Sequence, residues 1–106
     1  MIIYKVTNII NGKVYIGQTT LSLKERQQSH KRESKNPKRK TVYFHNALLK
    51  YGFDSFIWEE IDTAITQEEL DEKEVYWISY YDSTNKTKGY NLKAGGLGGG
   101  KTQKKP

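Results

Sequence analysis

The chain has 106 residues, enough for one domain with a single modest core but not for two. With no cysteine it excludes disulfides and thiolate metal sites, and with no apolar run near the ~18 residues that span a bilayer it is expected to be soluble, cytoplasmic and without a membrane partner. Its net charge is +6, and residues 24–40 alone hold eight basic side chains against two acidic ones, the segregated stripe expected of a polyanion-binding surface.

The first element signal is Asn11-Gly12 between alternating apolar runs, a strong hairpin signature because both turn residues must take positive φ. A two-residue turn sets Ile10 opposite Lys13, so paired positions sum to 23. Tyr4, Val6 and Asn8 then share a face with Tyr15 and Gly17. Two phenols beside a residue with no side chain form either packing or the floor of a reaction site.

Next, Ser22-Leu23-Lys24-Glu25 fits a capping box and starts a helix at about Leu23. Leu23, Arg26, Gln27 and His30 form its least charged stripe, so the helix has little core to bury and is expected to line a polar site or dock weakly. The stretch from Ser34 to Lys40, with Asn36-Pro37, reads as a basic loop. Phe44, Ala47, Leu48 and Tyr51 recur at helical spacing and predict a buried second helix that stops at Gly52.

Phe56-Ile57-Trp58-Glu59-Glu60-Ile61 has strand character, with Phe56 and Trp58 on one face. Thr66-Gln67-Glu68-Glu69 reads as a second capping box, opening a helix that runs to about Tyr81. Gly89-Tyr90-Asn91-Leu92-Lys93-Ala94 predicts a short extended piece before a glycine-rich exit. The expected fold class is α+β: a small three-stranded antiparallel sheet flanked by helices, in the order β-β-α-α-β-α. Residues 1–94 are expected to form the domain, and 95–106 a glycine-rich basic tail or linker.

The last helix carries an anomaly. At 100° per residue, Leu70, Trp77, Ile78 and Tyr81 lie within about 60° of Glu74, which puts a carboxylate at the centre of the face due for burial. Such a group must meet a cation, hydrogen-bond donors or a metal. A salt bridge to Arg26 or a lysine is one reading. A hard cation such as Mg²⁺, held by one carboxylate and water near phosphate, is the other.

Tyr4, the run Tyr15-Ile16-Gly17, Arg26 with His30 one turn on, Lys50-Tyr51-Gly52, Phe56, Glu74 and Gly89-Tyr90-Asn91 occur in this order. As an ordered set they closely resemble the GIY-YIG nuclease domain over about residues 2–92, and most of all its phage and intron-encoded homing endonucleases. The chain departs from the family at Ile2, which stands where the first motif carries glycine, and in one extra residue before Arg26 relative to some members. The resemblance implies metal-dependent hydrolysis of double-stranded DNA with Mg²⁺, or Mn²⁺ in its place. It implies catalytic roles for Tyr4, Tyr15, Arg26, His30 and Glu74, with Glu74 also the metal ligand, and supporting roles for Gly17 and Asn91. One of the two phenols would orient or deprotonate the nucleophile, which requires nearby positive charge to bring a phenol down from its usual pKa near 10. Arg26 would brace the scissile phosphate. Lys24, Lys31, Arg32, Lys35, Lys38, Arg39 and Lys40 are the expected DNA contacts. His45 lies outside the matching positions and is read as surface or core.

Two rival readings share this fold: a repair- or restriction-type nuclease, and a non-catalytic nucleic-acid-binding module. A third is rejected. Residues 95–102 spell G-x-x-x-x-G-K-T, but only four residues follow, too few for the helix whose N-terminus receives phosphate, so no nucleotide cofactor is expected. A basic linker towards a C-terminal DNA-binding module suits that segment better.

Overall fold

A computed structural model describes residues 1–36, 38 and 42–95. Strands β1 (Ile2–Asn8) and β2 (Val14–Thr19) form the expected hairpin, but not in the expected register. Tyr4 lies opposite Gly17 and Val6 opposite Tyr15, so paired positions sum to 21 rather than 23. The cause is local. Gly12 takes φ +80°, while Asn11 is not in the left-handed region that a two-residue turn demands. Instead the Oδ1 atoms of Asn8 and Asn11 accept from the backbone N–H groups of Ile10 and Lys13, each at 2.9 Å. These side-chain turns open the loop to residues 9–12, closed by the Asn8 N–H donating to the Lys13 carbonyl at 2.9 Å. A slip of two residues leaves every side chain on its expected face, as a slip of one would not.

Strand β3 (Phe56–Thr63) pairs antiparallel with the free side of β1, giving the sheet order β2-β1-β3. β1 is therefore central, and Ile3, Tyr4 and Val6 are buried. Helices α1 (Leu23–Ser34) and α2 (Val42–Tyr51) cover one face of the sheet, where Tyr4, Val6, Phe44, Ala47, Leu48, Phe56 and Tyr90 make a core. Helix α3 (Gln67–Tyr81) covers the other, packing Leu70 and Ile78 on Ile3, Ile16 and Ala64. Among the described residues, no helix is long and apolar enough to cross a membrane.

The helix starts follow the sequence with one exception. Ser22 and Glu25 form the full reciprocal box of α1. At α3, Thr66 accepts from the Glu69 N–H, but the Glu69 carboxylate turns back to the N–H of Ile65 instead of the cap residue. Gly52, at φ +89°, ends α2 in a conformation that disfavours any residue with a Cβ.

The segment after α3 returns to the outer edge of β2. Gly89 makes a parallel bridge to Val14, and the Tyr90 N–H donates to the Val14 carbonyl at 2.9 Å. The Tyr90 hydroxyl accepts from the Asn8 and Asn11 amides at 3.0 and 3.2 Å, which ties this return to the hairpin loop. Expectations placed on Arg39, Lys40, the tail beyond Gly95 and the P-loop look-alike lie outside the described residues.

Candidate active site

The site is built where the sheet has no side chain. Gly17 presents bare backbone opposite Tyr4, and the phenol ring of Tyr4 fills the volume that a Cβ there would take. The space left by the missing side chain is thus used by a tyrosine.

On the α1 side of the sheet, the Tyr4 hydroxyl is 2.7 Å from His30 Nε2 and accepts from Arg26 Nε at 3.3 Å. Arg26 and His30 are one turn apart on α1, the spacing that puts two side chains on one helix face. Arg26 Nη1 reaches Ser29 Oγ at 3.1 Å and Glu33 at 3.5 Å, and Ser29 also donates to Glu33 at 3.0 Å. Behind His30, its Nδ1 is 2.9 Å from Nε2 of His45 on α2. Tyr15 lies beside this group, its ring flat on Phe44 with centroids 4.1 Å apart and 6.3 Å from Tyr4. A helix with almost no apolar face is held in place by this polar cluster, in which His30 and Ser29 are both buried.

The electrostatics run against one expectation. Burial pushes the Tyr4 phenol up to about 12, outweighing the Arg26 guanidinium that pulls it down. Burial also raises Tyr15 well above the ordinary value, with Tyr4 and Glu74 adding to the shift. Arg26 opposes both shifts and does not overcome them, so both phenols rest protonated. Burial, then the neighbouring Arg26 and His45, drives His30 down to about 2, leaving it a neutral imidazole.

Glu74 approaches from α3, on the opposite face of the sheet, and is buried as its place on the helix predicts. Its carboxylate still raises both phenols, so the two sides are coupled electrostatically. The Gln18 amide donates to Glu74 Oε1 at 2.9 Å and to Asp71 Oδ1 at 2.9 Å, and Gln67 donates to the same Asp71 oxygen at 2.8 Å. Arg26, the cation proposed for Glu74 on burial grounds, makes its ion pair with Glu33.

Asp71 is a site residue that the sequence reading passed over. It is fully buried, and its Oδ2 has no hydrogen-bond partner among the described residues. The signal was available, since Asp71 also sits about 60° from Glu74 on the helical wheel. Two carboxylates on one face, one with a buried oxygen unused, form a hard-oxygen donor set that fits Mg²⁺ or Mn²⁺. His30, Glu33 and His45 also bring donor atoms within 4.8 Å of one another. Their two facing ring nitrogens already bond each other beside the Arg26 charge, so we read this second group as a hydrogen-bonded cluster.

Asn91 spans the edge of β2: its Oδ1 accepts from the Ile16 N–H and its Nδ2 donates to the Ile16 carbonyl, both at 2.8 Å. Lys24, Lys31, Arg32, Lys35 and Lys38 are exposed on or just after α1, with Lys31 lying over the Phe53 ring at 5.2 Å.

The GIY-YIG catalytic-domain family model matches residues 1–91. An uncharacterized protein, 019R of Invertebrate iridescent virus 6, is 32% identical over 94 residues, covering 87% of this chain but only 33% of the viral protein. The chain therefore spans about a third of that relative's length. Two solved structures share the fold. The catalytic domain of the homing endonuclease I-TevI superposes with a TM-score of 0.72 at 23% identity, over 86% of this chain and 96% of that one. A point mutant of the same intron endonuclease domain gives 0.71 at 24% identity, over 87% and 92%.

Proposed function

The chain belongs to the GIY-YIG catalytic-domain family, and from that premise we propose that it is a DNA endonuclease domain hydrolysing phosphodiester bonds with a divalent cation, Mg²⁺ or Mn²⁺, at Glu74. The observation that carries this reading is the Tyr4–His30–Arg26 hydrogen-bonded set together with the buried Glu74 carboxylate that raises the Tyr4 phenol. Phosphate attraction alone requires no buried acid, which disfavours a module that only binds.

Each side chain has a task that its chemistry suits. Arg26 brings its guanidinium charge to the scissile phosphate and stabilises the charge that grows there. Tyr4 orients the attacking water and takes its proton once its own has left to His30. Tyr15, stacked on Phe44, walls the same floor. Asn91 fixes β2 at Ile16, beside Gly17. Glu74 and Asp71 would hold the cation, which when bound would supply charge neutralisation to the phosphate. The exposed basic residues of α1 follow the DNA backbone.

The homing type is our choice among the targeting classes, with an additional DNA-binding module beyond the basic linker and action inside the cell. The test uses supercoiled plasmid with and without Mg²⁺, comparing wild type with Glu74→Ala and Arg26→Ala. Metal-dependent nicking lost in both variants supports the reading. Nicking retained by both removes these residues from the mechanism. Tight, salt-sensitive binding by wild type without cleavage at any protein concentration makes the chain a binding module.

A further inference from the structure

His45 carries no part in the mechanism above, yet it is 1% exposed and its Nε2 sits 2.9 Å from the ring of the histidine that contacts Tyr4. Arg26 Nε only donates, so the Tyr4 oxygen accepts from it, and of the two directions open to the Tyr4–His30 bond we take the one in which the phenol proton is directed to His30 Nε2. With Nε2 accepting, neutral His30 must carry its proton on Nδ1, and that proton points at His45 Nε2. Beyond it lies Glu33, with Oε1 4.0 Å from His45 Nε2 and its side chain about half exposed.

We propose that Tyr4, His30 and His45 form a proton wire in which His45 is a positioning residue: it fixes the His30 tautomer and receives the proton that Tyr4 releases. The proposal rests on the nuclease reading, which supplies the demand for a deprotonated phenol. The step balances. The Tyr4 O–H breaks as His30 Nε2–H forms, while His30 Nδ1–H breaks as His45 Nε2–H forms. One proton leaves Tyr4, one is added to His45, and His30 ends neutral with its tautomer exchanged. The resulting phenolate lies beside Arg26, and the resulting imidazolium beside the Glu33 carboxylate. The wire answers the difficulty set by burial, because a phenol raised to about 12 needs a specific acceptor to lose its proton. His30 cannot keep that proton, being held neutral, but it can pass one on. The titratable groups facing the wire are Arg26 and Glu33 from α1, Tyr15 from β2 and Glu74 from α3, whose carboxylate raises the Tyr4 phenol.

Two readouts test this. In ¹⁵N-labelled full chain at neutral pH, long-range proton–nitrogen correlations should show His30 protonated on Nδ1; protonation on Nε2 overturns the proposal. This measurement needs no cleavage, so it stands apart from failure of the nuclease reading, which would show as wild type unable to nick plasmid. The second is single-turnover plasmid cleavage across pH for wild type and His45→Gln, whose side-chain oxygen can accept from His30 but cannot carry a proton. We expect a loss of roughly tenfold at neutral pH, recovering as pH rises, with plasmid affinity unchanged. A variant with the wild-type rate and pH profile overturns the wire. If His45→Gln fails to fold, cleavage by wild type in H₂O–D₂O mixtures decides. Two protons in flight give a curved dependence on deuterium fraction, and a straight line overturns the proposal.

Discussion

Tyr4 and Gly17 are cross-strand partners whose side-chain volumes are shared: the phenol of one lies where the Cβ of the other would be. Gly17→Ala must therefore displace the Tyr4 ring from its bonds to His30 and Arg26. Overpacking of this kind typically costs about 1–3 kcal/mol. Urea unfolding of Gly17→Ala should show a clearly lowered midpoint, with nicking lost together with stability. An unchanged midpoint would mean that the ring has somewhere else to go.

Asp71 anchors the acid side of the site through two amides. Asp71→Ala leaves the amides of Gln18 and Gln67 without this acceptor and lets Glu74 shift. Loss of a buried acceptor costs about 1–3 kcal/mol. Half-maximal nicking should then require more Mg²⁺ than wild type needs. Unaltered Mg²⁺ dependence would show that Glu74 is held without Asp71.

Acid should unfold the domain partly through His30. In the fold it stays neutral down to about 2, whereas the unfolded chain protonates it near its ordinary 6.5. Below pH 6.5 the unfolded state binds a proton that the folded state refuses. The stabilisation is complete above that pH and is lost as pH falls towards 2, by at most about 1.4 kcal/mol per pH unit. Urea midpoints measured from pH 7 to pH 4.5 should fall for wild type and fall less for His30→Gln. Parallel curves would show that His30 takes up its proton without unfolding.

Lys24 and Arg32 are exposed on α1 and line one open groove with Leu21, Glu25 and Gln28. If each meets a phosphate, the double variant Lys24→Ala/Arg32→Ala should reduce the salt slope of DNA binding by about 2. Fluorescence anisotropy over a range of KCl concentrations measures it. An unaltered slope would place the DNA on another surface.

The fold was legible because its signals are local. Caps at Ser22 and Thr66, helical spacing from Phe44 to Tyr51 and the stop at Gly52 all act within a few residues. The hairpin register was misread for a local reason too. Asx-type bonds from Asn8 and Asn11 compete with the two-residue turn, and sequence pattern does not rank them. At the site, Glu74 declared itself by breaking an apolar stripe. Asp71 did the same at the stripe's margin, where an acid is easily taken for a solvated one. His45 was invisible because its meaning depends on α1 and α2 packing side by side, a contact between residues 15 apart that no periodicity reports. The raised phenols escaped for a similar reason, since burial depends on what covers the hairpin.

Asn91 has a consequence in time as well as in space. It pairs with Ile16 as a neighbouring strand would, through one side chain in place of a backbone. The edge of β2 beside Gly17 is therefore completed by one of the last described residues, after both phenols, Arg26, His30 and Glu74 are already in the chain. On the ribosome such a domain can fold most of its core before its reaction floor is squared off, and a break between α3 and Tyr90 would leave every catalytic group present but the floor unfinished.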